Sequence, residues 1–285
     1  MRVALCLTGI LGGASGRNGN GGSIHPAVGC EYWKEALSSA DEVDVFIHSW
    51  STEATNTLVE LYKPKKHIIE QQKHFTPAME NYGELDIETL LSDRRYSDIA
   101  EEYDRSPGST EHPSLINGDS ENLWDHLKYQ AWCQHSKWYA NQQAIKLKSE
   151  YEKENNFIYD FVVLSRFDLW FNKPFPFHEL TQESFYASPR NHGYDYREDH
   201  DIALMDLWFL APSKMMNSFA DLYDEIYKYC IIGTKASRER IAELFGEDKL
   251  EYLFWDHIDY GAVRHKYGAG VRRFISDEEE TKVEK

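Results

Sequence analysis

Residues 2–22 read RVALCLTGILGGASGRNGNGG, and this stretch decides the fold class. Val3 to Leu7 is unbroken apolar sequence, without the in–out alternation of a half-exposed strand. A run that is apolar on both faces suits a strand buried in the middle of a parallel sheet. It empties into a glycine-rich stretch from Gly9 to Gly22. There the first strand of a parallel sheet hands its chain to a ligand crevice. Backbone N–H groups in such a loop can cradle a phosphate, and a flexible surface loop is the plainer reading. The standard nucleotide fingerprints fail. A P-loop built on Gly16-Arg17-Asn18 lacks its Lys-Ser/Thr and has Leu11 where its first glycine belongs. A GxGxxG motif on Gly19 and Gly21 breaks at Ile24. Arg17 is the one fixed cation of the loop, and a guanidinium suits a diphosphate through paired hydrogen bonds.

Outward from this point, the pattern predicts a helix from about Ala27 to Ala40 and a second strand, EVDVFIHSW (42–50). A short helix follows over Asn56–Tyr62, stopped by Pro64, and then a third strand, KHIIE (66–70). Strands alternating with helices define an α/β sheet. Right-handed crossovers put its strand ends on one edge. Residues 76–120 are polar and read as a flexible insert or a substrate lid. Asp119 or Ser120 caps a long helix reaching about Glu154, with Leu123, Leu127, Ala131, Trp138 and Ile145 along one stripe. YDFVVLSRFDLWF (159–171) is the strongest strand signal. SFYAS (184–188) and IALMDLWFLA (202–211) are further strands. A helix opening at Pro212 or Ser213 carries Met215, Phe219, Leu222, Ile226 and Tyr229 on one face. A last helix is expected over 248–266, then a strand VRRFI (271–275) and a charged tail over 276–285. The expectation is a single α/β domain over 1–275 with a central, mostly parallel sheet flanked by helices.

The chain has 285 residues and a formal net charge of −17. So acidic a surface repels phosphate backbones and anionic lipid, which argues against nucleic acid or a membrane surface as main partner. A hydrophobic fraction of 41% argues against disorder. No apolar run approaches the ~20 residues of a membrane helix, so no membrane span is expected. The short apolar N-terminus lacks a small-x-small cleavage site and reads as a strand rather than a signal peptide. Cys6, Cys30, Cys133 and Cys230 are far apart and form no CxxC, which points to a reducing, cytoplasmic compartment. The abundant Trp and Tyr suit sugar faces, but a core role comes first for most of them.

Four places could carry chemistry. His48-Ser49-Trp50 ends the second strand, where the indole either stacks on a base or sugar or simply covers the sheet edge. Arg166 and Asp168 end a buried strand on the same side of it. They form either a structural ion pair or a diphosphate site, with Asp168 holding a divalent cation and Arg166 adding charge. Asp206 stands among Leu204, Met205, Leu207 and Trp208, where desolvation would suit a general base, or it caps a neighbouring element. His192, His200, His257 and His265 are candidates for a second metal ligand, although none forms HxH or HExxH. Tyr194 and Tyr196 mark 189–201 as a candidate acceptor loop.

RVALCLTG with its glycine loop, VDVFIHSWS (43–51), LYKPKKHIIEQQ (61–72), YEKENNFIYDFVVLSRFDLWF (151–171) and the later Asp206-Leu207-Trp208-Phe209 together resemble a group of viral and bacterial glycosyltransferase-like proteins. The resemblance spans roughly residues 2–75 and 120–230. It implies a GT-A-like fold, a nucleotide-sugar donor, a glycan or other hydroxyl acceptor, and a cytoplasmic location (host cytoplasm for a viral member). The usual Asp-x-Asp metal signature of such folds reads Arg166-Phe167-Asp168 here. Asp168 matches the second acid, and dependence on Mn²⁺ or Mg²⁺ is left open. Strand-end geometry then puts Thr8, Gly9 and Arg17 along the donor and His48, Ser49 and Trp50 on its base or ribose. Arg166 and Asp168 fall on the diphosphate, and Asp206 on the acceptor hydroxyl. Two rival readings are a sulfo- or phosphotransferase using the glycine loop and a glycan-binding domain without turnover.

Overall fold

Strand β1 (Arg2–Gly9) is an interior strand paired on both sides, as its double-sided apolar run requires. Even-numbered Ala4 and Cys6 face one core and odd-numbered Val3, Leu5 and Leu7 the other, all nearly or fully buried. The computed structural model describes residues 1–11, 26–75, 120–189, 204–229, 233–254 and 259–262. Parallel to β1 on one side lie β2 (Glu42–Ser49) and then β3 (Lys66–Ile69). On its other side lies β4 (Phe161–Arg166), also parallel. β7 (Leu204–Ala211) follows antiparallel, then β6 (Phe185–Pro189) and β8 (Leu250–Tyr252). The sheet order is β3-β2-β1-β4-β7-β6-β8, with β7 alone reversed. The expected α/β architecture with a mostly parallel central sheet is therefore present.

Helices α1 (Pro26–Ala36) and α2 (Thr55–Tyr62) cover the face of Val3, Leu5 and Leu7. α2 stops where Lys63 adopts φ 45° and returns its N–H to Val59 O, just before Pro64. The other face carries the 36-residue α3 (Ser120–Asn155), α4 (Ser213–Ala220) and α5 (Gly233–Phe245). Trp33 seals the first core, Trp138 the second, and each is at most 1% exposed. Lys148 of α3 is completely buried, yet its ammonium donates to Glu152 Oε2 (2.9 Å), Ser213 Oγ (2.6 Å) and Asn217 Oδ1 (2.7 Å). Three donors meet three acceptors, which ties α3 to α4 without leaving a buried charge bare.

Several expectations need correction. The 159–171 strand breaks after Arg166, and Leu169–Phe171 becomes β5 of a separate two-stranded sheet with β9 (Tyr260–Ala262). Residues 250–252 and 260–262 are strands, so no helix runs over 248–266. The last described α-helix is α5 instead, where Ala236, Ile241 and Phe245 turn toward the core and Gly246 ends it at φ 90°. The helix after Ser213 also ends early. Asp221–Lys228 is 3₁₀, with a kink at Glu225, although Phe219, Leu222 and Ile226 are buried as the stripe predicts. The insert at 76–119, the strand at 271–275 and the tail lie outside the described residues.

Candidate functional site

The strand order reverses direction at β1. From β1 the chain first adds β2 on one side and later β4 on the other. A crevice outside the carboxyl ends of the strands is expected at this switch point. Thr8 of β1 is the register partner of Arg166 of β4 there, and Gly9 is the partner of Ser49 of β2. The Thr8 hydroxyl donates to Asn141 Oδ1 on α3 at 2.8 Å. Gly9 has φ 103°, a conformation that disfavours any side chain, although a Cβ would have open space. Its carbonyl accepts from Ser49 Oγ at 2.9 Å and from the Trp50 N–H at 3.4 Å. The Leu11 N–H donates to Ser51 Oγ at 3.0 Å. The chain leaving β1 is thus anchored to the end of β2 before it enters the glycine-rich stretch.

Arg166 and Asp168 meet. The guanidinium donates from Nε to Asp168 Oδ1 (2.8 Å) and from Nη2 to Oδ2 (2.6 Å). The side chains are 38% and 22% exposed, so the pair is not sealed beneath the core. Phe167 between them points the opposite way, into the α1 core beside Tyr62. The turn is held from behind by α1. The Trp33 indole N–H donates to the Arg166 carbonyl at 3.2 Å. Gly29 lets the helix approach so closely that a Cβ there would overlap the Phe167 carbonyl oxygen.

Asp206 stands at the same edge, near the start of β7. Ser165 pairs with Trp208, and its hydroxyl donates to Leu207 O at 3.2 Å, so Asp206 lies close to the level at which β4 ends. Opposite Ala187 and Ser188 of β6 the partner jumps from Phe209 to Met205, an irregularity that re-aims the residues between. The carboxylate of Asp206 turns toward α3, where it pairs with the Lys137 ammonium. The same ammonium donates to the Asp206 carbonyl at 2.7 Å. Asp206 keeps 22% of its side chain exposed. The apolar surroundings expected from its sequence neighbours are therefore replaced by a cation, because Met205 and Leu207 pack toward the opposite core.

His48, Ser49 and Trp50 lie deeper than expected. His48 and Ser49 have no exposed surface, and Trp50 keeps 7%. Trp50 stacks on Tyr139 of α3, with centroids 5.6 Å apart and planes 20° apart. It covers the sheet edge, the second of the two readings of this residue. His48 Nε2 lies 3.2 Å from Glu70 Oε1, and burial depresses the imidazole pKa below its usual value despite that carboxylate. Glu70 also accepts from Tyr139 Oη at 3.2 Å, and Lys73 lies 3.3 Å from the same oxygen.

Arg17, Tyr194, Tyr196, His192, His200, His257, His265 and Cys230 lie outside the described residues. Sequence reading missed Gly29, Trp33, Lys137 and Asn141. Each reaches the site from a helix far away in the chain, and only the one-residue spacing of Arg166 and Asp168 is a local signal. No protein-family model and no curated protein matches this chain.

Proposed function

We propose that this chain is a glycosyltransferase of GT-A-like fold, moving a sugar from a nucleoside diphosphate donor to a glycan or other hydroxyl acceptor. The observation that carries the reading is the half-exposed Arg166–Asp168 pair at the switch point, beside Thr8. A guanidinium there can stabilise the charge that develops on a departing diphosphate. The single reversed strand β7 supports the reading further, since it brings a second carboxylate, Asp206, to the same edge. In an inverting transfer the acceptor oxygen attacks the anomeric carbon and the bond to the phosphate oxygen breaks. The hydroxyl proton passes to Asp206, and the electron pair leaves on the nucleoside diphosphate toward Arg166. In this reading His48, Ser49 and Trp50 form the base or ribose side of the donor site, with Trp50 the most exposed of the three.

A divalent cation at Asp168 fits poorly with the side chains as they stand. Both carboxylate oxygens already accept from Arg166, so a cation would have to displace a fixed guanidinium. No step is derived through one.

The test is Asp168→Asn, read by donor hydrolysis and by melting temperature. A pair this exposed contributes only about 0.2–1 kcal/mol to stability. The expected outcome is loss of hydrolysis of the UDP-, GDP- or dTDP-sugar that the wild type turns over, with the melting temperature nearly unchanged. A large stability loss would make the pair structural and sink the assignment.

A further inference from the structure

We infer that the Arg166 guanidinium, oriented by Asp168, takes the place of a divalent cation, so that a nucleoside diphosphate binds this chain without Mn²⁺ or Mg²⁺. The inference rests on the nucleotide-sugar reading above and adds how the diphosphate is held.

The geometry concerns which edge of the guanidinium is engaged. An arginine head presents five N–H donors in one plane. Asp168 takes one from Nε and one from Nη2, the side edge of the fork. The end edge, Nη1 with the second N–H of Nη2, keeps three donors that meet no acceptor among the described residues, and these suit two oxygens of a phosphate. Arg166 is also the more exposed member of the pair, at 38% against 22%. Two charge-assisted bonds fix the plane of the head before any ligand arrives, which reduces the ordering cost of binding.

A cation-dependent site needs the reverse arrangement, with carboxylate oxygens turned to the ligand. Here both accept from the Arg166 guanidinium. Recruiting a hard cation to Asp168 means breaking two short ionic hydrogen bonds and placing a dication beside a guanidinium. The turn that carries the pair is held by the Trp33 N–H on Arg166 O and by the close approach of Gly29 to Phe167, which opposes such a rearrangement.

The experiment titrates the full chain with UDP, GDP, CDP and dTDP in EDTA and again with Mn²⁺, read by thermal shift and calorimetry. In parallel, Mn²⁺ alone is followed by its electron spin resonance signal. The expected result is one nucleotide bound with equal affinity in both media and no Mn²⁺ uptake that depends on Asp168. Arg166→Met should weaken that nucleotide by roughly tenfold to a hundredfold, the size of a lost charged hydrogen-bond pair, and Arg166→Lys should restore only part of it. Nucleotide bound only with Mn²⁺, or Mn²⁺ uptake abolished by Asp168→Asn, overturns the inference and leaves the transferase reading standing. No nucleotide bound in either medium overturns both.

Discussion

Gly29 and Phe167 are in backbone contact: helix α1 lies so close to the turn between Arg166 and Asp168 that only a hydrogen fits in place of a side chain. The helix covering one core thereby sets the position of the turn that carries the ion pair. Gly29→Ala must push the two segments apart, and overpacking of this kind costs about 1–3 kcal/mol. Urea melts should show that loss, and the nucleotide-induced thermal shift should shrink with it. An alanine variant as stable as the wild type would mean that α1 is not pressed against the turn.

Asp206 and its partner Lys137 should affect turnover more than binding. Asp206→Asn keeps the shape of the side chain and removes the proton acceptor. General-base loss typically lowers the rate by about 10²–10⁴-fold. The nucleotide-induced thermal shift should persist. Lys137→Met should lower kcat in the same direction, since the ammonium holds both the carboxylate and the carbonyl of Asp206. Full transfer activity in Asp206→Asn removes it as the base.

Buried His48 makes stability depend on pH. Its imidazole pKa is depressed by burial, and burial depresses that of His135 as well. Below about pH 6.5 the unfolded chain binds a proton at each that the folded chain refuses, so stability falls as pH falls and levels off above that value. The slope is at most about 1.4 kcal/mol per group per pH unit. Urea melts at pH 7.5 and 5.5 measure it, and His48→Gln should reduce the difference. An unchanged slope in the variant would assign the pH dependence to other groups.

Lys148 should be one of the costliest single positions. Lys148→Ala leaves Glu152 buried and uncompensated, and breaking a buried pair in this way costs about 3–5 kcal/mol. Glu152 still accepts the Tyr159 N–H at 2.9 Å and the Ser213 hydroxyl at 2.6 Å, so part of its charge remains solvated by the protein. Adding Glu152→Gln to Lys148→Ala should recover stability in chemical denaturation. Failure of the second substitution to help would place the cost in lost packing rather than in the stranded charge.

The elements that read clearly in the sequence were those whose signal is local and strong. β1, β2 and β4 carry apolar runs, β3 a short Ile68-Ile69 pair, and Pro64 marks the stop of α2. The spacing of Arg166 and Asp168 was enough to set them on one side of a strand end. Residues 233–245 carried no reading and 248–266 was misread, because the patterns there are weak: α5 buries an arginine, Arg240, on its inner side, which hides the stripe. The depth of His48 and Ser49 was not legible, because residues at a strand end are covered by whatever packs above them, for His48 the rings of Trp50 and Tyr139.

The sequence by itself determined the α/β class, the strand bearing the charged pair and the acidic character of the surface, because periodicity, chain stops and net charge are properties of consecutive residues. Only the tertiary structure decided that Arg166 grips Asp168 from its side edge, that Lys137 holds Asp206, and that Gly29 sets the turn between them. Those relations join residues from 2 to 138 positions apart in the chain. They depend on which face each strand turns to which helix, and that is settled by burying two cores at once.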